Sequence, residues 1–258
     1  MAKPEKKHSA SCFAEAPLSK HVYRDNALAA IGELGSNRKF VVPLGILGPF
    51  SQWLGWPDWL RKGTSLTGCG MLPQRISIAD YIKVIANVLE RGHGPELIKK
   101  TLRTNRFIAG PASSVIITNA PTLGQGLIHL TSLIGATNMK LSLQFVSSGR
   151  WTEVNVVQKL PLGAILDFVA TIRLILVMRS IEWFLLNDLR PAVLNLTLPH
   201  DQSIEHLFRE RGVDVEMGAT SNRLSFPSDW LKRPNSDYDA SFWRLALQHL
   251  RKAEEDKG

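Results

Sequence analysis

The stretch Pro191 to Pro234, PAVLNLTLPHDQSIEHLFRERGVDVEMGATSNRLSFPSDWLKRP, decides the fold class. Val193 to Leu198 reads as a strand, and Ser203 caps a helix that runs to Arg211 and stops at Gly212. Val213 to Met217 and Arg223 to Phe226 read as two further strands, joined by a turn of Gly, Ala, Thr, Ser and Asn. Ser228 opens a short turn. Ser236 or Asp239 then caps a last amphipathic helix reaching about Lys252.

Upstream lies the most apolar part of the chain, Gly163 to Leu186. Its length raises a membrane question. Asp167, Arg173, Arg179 and Glu182 answer it, because each charge is expensive in lipid. A central helix inside a soluble domain is the expected structure. On a helical wheel, Asp167, Thr171, Arg179 and Glu182 fall within one arc of about 120°. Arg173, Ser180 and Asn187 form a second, narrower stripe. Two accounts fit that stripe: contact with water or neighbouring backbone, or projection of Arg173 and Ser180 into an internal cavity that takes a polar ligand group. With Trp183 and Phe145 they make up the candidate ligand-binding set.

Before this helix the hydrophobic period is two. Leu141, Leu143 and Phe145 alternate with Lys140, Ser142 and Gln144, and Ser147-Ser-Gly-Arg150 predicts a hairpin into Trp151 to Lys159. Further upstream the period is helical. Ser77 caps a helix to about Arg91 whose buried face holds Ile78, Tyr81, Ile82, Ile85 and Leu89. Pro95 starts a further turn or two. Thr122 or Asn119 caps a helix to about Gly135, with Leu123, Leu127, Leu130 and Ile134 inward. Val42, Leu44, Leu47, Phe50 and Leu54 also recur at helical spacing, and Asp58 to Arg61 predicts a second short helix. Residues 1–38 read as a flexible basic tail with one helical turn near Asn26 to Leu34, and residues 39–258 as one domain. The fold class is therefore α+β: N-terminal helices, then an antiparallel or mixed sheet of about five strands with a long buried central helix.

The composition is that of a globular chain, with 44% hydrophobic and 21% charged residues. The net charge of +8 is spread over many segments, so it describes solvated faces and offers no helix for reading a DNA groove. Cys12 and Cys69 have no metal or disulfide spacing, which suits a reducing cytoplasm, and no apolar run follows Lys3, Lys6 and Lys7 to make a signal peptide. No nucleophile elbow, zinc motif, phosphate loop or dinucleotide fingerprint is present. The chain is read as a non-enzyme with no catalytic residue, metal or cofactor. Cys69 and His200 are read as structural.

Separate pieces also follow a family order. Leu72-Pro-Gln-Arg-Ile-Ser-Ile leads into the helix of Tyr81, and Phe107 to Gly110 precedes Asn119-Ala-Pro-Thr-Leu-Gly. Leu198-Pro-His200, Leu207-Phe208, Val213 to Ala219 and Asn222-Arg-Leu-Ser-Phe-Pro complete the series. Across about Val41 to Leu250 this resembles the N-terminal ligand-sensing, arabinose-binding-like domain of AraC-type bacterial transcription regulators. The resemblance implies a cytoplasmic sensor that binds a small-molecule effector and forms a homodimer, with no membrane partner. In the family, two helix-turn-helix units follow. The stretch after Pro234 offers a single helix before Gly258, so DNA contact is expected only indirectly, through a missing or separate module. The tail is longer and more basic than the family's. The alternative function is a free-standing small-molecule-binding protein, or a dominant-negative partner not acting on DNA directly.

Overall fold

The computed structural model describes residues 22–43, 47–66, 73, 75–104, 111–137, 141–185 and 189–255. Helix α1 (Val22–Glu33) leads through a 3-10 turn to strand β1 (Val41–Pro43) and helix α2 (Leu47–Leu54). Strand β2 (Arg75–Ser77) runs into α3 (Ile78–Glu90), followed by α4 (Gly94–Arg103), α5 (Pro111–Asn119) and α6 (Leu123–Thr137). The hairpin β3 (Leu141–Ser148) and β4 (Trp151–Gln158) precedes the long helix α7 (Ile165–Leu185). Then come β5 (Val193–Leu196), α8 (Gln202–Arg209), β6 (Asp214–Met217), β7 (Arg223–Pro227) and α9 (Ala240–Glu255).

The five-stranded sheet has the order β3-β4-β7-β5-β6. Every pairing is antiparallel except β5 with β6, which are joined through α8. A parallel pair needs such a crossover, whereas β3 and β4 close through a tight turn with Gly149 at φ +60°. Register aligns Phe145, Val154, Leu224, Leu194 and Val215 in one row across all five strands. That row and its neighbours, Leu143, Phe226 and Leu196, turn into the core against α7. The opposite face is polar. On it Arg223 donates to Glu153 at 3.2 Å and to Asn195 at 3.3 Å, and Asn195 donates to Glu216.

The α+β architecture and the buried central helix match the sequence reading. Ile165, Phe168 to Ile172 and Leu174 to Met178 are sealed from solvent. Among the described residues no helix is long and apolar enough to cross a membrane. Ser77 caps α3, accepting from the Asp80 amide at 3.0 Å, and the five expected inward residues of α3 are buried. Asp239 caps α9, accepting from the Ser241 and Phe242 amides.

Four local readings change. Val42 lies in a strand paired with Ile76, not at the head of the helix that carries Leu47 and Phe50. A three-residue strand is too short to show a period of two. Helix α4 is ten residues long rather than a turn or two. The cap of α8 is Asp201, whose carboxylate accepts from the Ser203 and Ile204 amides and the Ser203 hydroxyl. The single turn expected near Asn26 is the helix α1, which sets Ala27 and Ala30 against α3. Readings that fall on the tail before Val22, Leu44, Gly68 to Leu72, Phe107 to Gly110, the Ile134 side chain and Asn187 lie outside the described residues.

The Pro121-Thr-Leu-Gly124 segment joins two parts of the fold. Thr122 accepts from the Gln125 amide at 3.3 Å, and the Leu123 amide donates to Arg233 O at 3.0 Å. A Cβ on Gly124 would stand 2.9 Å from Leu231 O, so only glycine admits this approach. Asn235 seals the junction by donating from its side chain to Thr118 O and Ala120 O, at 2.8 and 3.0 Å.

Candidate functional site

Helix α7 is apolar over most of its surface, so its four charges show where the interior is specialised. Three have partners. Asp167 accepts from the Thr197 hydroxyl at 2.5 Å, and Asn222 donates to the same hydroxyl at 2.7 Å. Burial outweighs that hydrogen bond and holds the Asp167 carboxyl above the usual range.

Glu182 is sealed and accepts from Arg179 at 2.7 Å and from Arg211 at 2.9 Å. Both guanidiniums also donate to Leu102 O, and Arg179 donates to Thr104 O. These are carbonyls at the C-terminal end of α4, where the helix dipole is negative and cations are favoured. Burial lowers the Arg179 pKa, and the bond and charge of Glu182 oppose that shift. Arg179 and Glu182, one half of the first stripe, thus form a structural clamp joining α4, α7 and the segment just after α8.

Arg173 differs. It is half-buried between the sealed Ile172 and Leu174. Burial lowers its pKa, and the neighbouring buried Tyr81 of α3 opposes the shift. Burial in turn raises the Tyr81 pKa, leaving the phenol neutral. No hydrogen bond or ion pair reaches Arg173 from the described residues, although a guanidinium stays protonated under all ordinary conditions.

The other expected site residues are placed apart from it. Ser180 lies two turns along the same side of α7, is fully buried, and donates to Leu176 O at 2.9 Å. Trp183 is 47% exposed and sits ten residues, ~15 Å, along the helix from Arg173. Phe145 packs half-buried on the core face of β3, opposite Val154. Tyr81 was legible in the sequence only as a core residue of α3. His200 is held by Glu205 at 2.5 Å, and among the described residues no cluster of His, Cys, Asp and Glu could hold a metal.

A second specialised surface lies on the far side of α5 and α6. Helix α9 rests there through Trp243 and Ala246, which pack with Ile116 in a small cluster outside the main core. The His129 ring meets Trp243 edge-on at 5.2 Å. Facing outward nearby are Phe242 at 60% exposure, Ile128 at 63%, Leu245 and Val115.

A family model described as the arabinose-binding domain of AraC transcription regulators, N-terminal, matches residues 72–235. The chain belongs to this family. The matched range contains Tyr81, Arg173, the Glu182 clamp, the Pro121–Gly124 junction and the whole five-stranded sheet, whereas α1, α2 and α9 lie outside it. Among solved structures, the transcriptional regulator CdpR from Pseudomonas aeruginosa is similar at 14% identity and a TM-score of 0.46, over 63% of this chain and 52% of that one. This chain thus spans about half the length of that regulator. No curated protein matches the chain. The arabinose-binding domain of AraC regulators is a ligand-sensing regulatory domain, and the sheet crossed by α7 is the form it takes here.

Proposed function

We propose that this chain is the effector-sensing and dimerisation domain of an AraC-type transcription regulator. DNA is reached only through a separate helix-turn-helix module. The observation that carries this reading is the family match over residues 72–235, a range that holds the sheet and its central helix. The effector site is centred on Arg173, and Ser180, Phe145 and Trp183, which stand apart from it, are to be tested one by one. A thermal-shift screen across metabolite classes tests sensing: a true effector at about a hundred times its Kd stabilises the fold by roughly 2.7 kcal/mol. A flat response across all classes removes the reading.

Dimerisation is supported by the outward apolar face of α9. Phe242 and Leu245 are one turn apart on α9 and exposed, and Ile128 of α6 and Val115 of α5, the helices nearest α9, are exposed as well. A second copy of the chain covers such a face by a two-fold contact in which each patch meets itself. Light scattering at micromolar concentration is expected to report a dimer. The double variant Phe242→Glu, Leu245→Glu is expected to be a monomer with an unchanged circular dichroism spectrum. A monomeric wild type would remove the dimer from the proposal.

A further inference from the structure

We infer that the effector is a small monocarboxylate with an apolar body, its carboxylate paired with Arg173. This inference rests on the effector-sensing reading and adds the chemical class of the ligand. Of the four charged side chains on α7, Asp167, Arg179 and Glu182 have partners, and only Arg173 has no acceptor among the described residues. Arg173 is half-buried. A guanidinium partly withdrawn from water without a counter-charge is costly, so that something else supplying the charge is the economical arrangement. Tyr81 does not supply it, since burial keeps its phenol neutral.

The single positive charge sets the charge of the ligand. One monoanion neutralises one guanidinium, whereas a phosphate dianion would leave surplus negative charge in the interior. The planar fork of the guanidinium matches the two oxygens of a carboxylate. The remaining surface favours an apolar body. On the Arg173 side of α7 the positions a turn away are Val169, Ala170, Leu176 and Val177, all buried. From α3 the neighbours of Tyr81 are Ile78, Ile82 and Ile85. A neutral sugar needs several neutral donors and acceptors, and beside Arg173 the Tyr81 hydroxyl is the one such group these side chains offer. Ser180 does not add one, because its hydroxyl is already given to Leu176 O.

The test uses the full chain and a matched probe series: butyrate, octanoate and phenylacetate against butanol, octanol and phenylethanol, with L-arabinose as the neutral sugar. Thermal melts are expected to rise with at least one carboxylate and with none of the alcohols or arabinose. Arg173→Leu is expected to lose that response and, freed of an unpaired charge, to melt at or above the wild-type temperature without ligand. Arg173→Met serves if the branched side chain does not pack. Arg173→Lys is expected to keep the carboxylate preference with about tenfold weaker binding, because an ammonium cannot form the fork. The inference is overturned if Arg173→Leu and Arg173→Met both melt well below wild type, which makes Arg173 a structural cation. It is also overturned if alcohols or arabinose bind as well as the acids and are indifferent to the loss of Arg173. In that last case effector sensing stands and only the ligand class falls. A flat response to all probes, together with a flat metabolite screen, removes both.

Discussion

Glu182→Ala is expected to lower the unfolding free energy by about 3–5 kcal/mol, among the largest effects of any single change in this domain. The carboxylate is sealed and is the shared acceptor of Arg179 and Arg211. Removing it leaves two guanidiniums close together in the interior with only the α4 carbonyls to satisfy them. The cost arises from the uncompensated charges that remain more than from the intrinsic worth of the pair. Replacing Arg179, Glu182 and Arg211 together by apolar residues of similar volume should therefore cost far less than the single change. Urea titration of the two variants measures this contrast. A single-variant loss below about 1 kcal/mol would mean that water reaches the clamp and screens it.

Phe226→Ala is expected to cost a similar ~3–5 kcal/mol, by a different route. The ring is fully buried on the core face of β7 and stacks on Trp230 with centroids 5.9 Å apart and planes at 11°. Truncation leaves a void between sheet and turn, and removes the face on which Trp230 lies. That turn also carries Leu231, whose carbonyl abuts Gly124, so the damage should extend to the α6 junction. Val157→Ala, on the exposed face of β4, is the matched control and should stay within about 0.5 kcal/mol. Equal midpoints for the two variants would show that the Phe226 site collapses without loss.

Much of the fold was legible because its signals are local. The alternation of Leu141, Leu143 and Phe145, the cap at Ser77 and the uninterrupted apolar run of α7 each depend on neighbours within a turn or a hairpin. Strand β1 was not, since three residues carry no period and its partner lies more than thirty positions away. The candidate site divides in the same way. The oddity of Arg173 could be read from the wheel, because a charge in an apolar helix stands out whatever surrounds it. The partners of Glu182 could not, since Arg211 is 29 residues away and donates to a carbonyl 109 residues from itself. The place of Trp183 was equally hidden. A helix that is apolar on nearly every side gives no phase by which to tell its outward residues from its inward ones.

The clamp at Glu182 has a mechanical consequence. Helix α7 is tied near its first turn to Thr197, the residue after β5, through Asp167, and near its last turns to α4 and Arg211. It is a beam held at both ends, with Arg173 close to mid-span. The two ties fix the helix along its own axis, and between them α3 packs on α7 and brings Tyr81 beside Arg173.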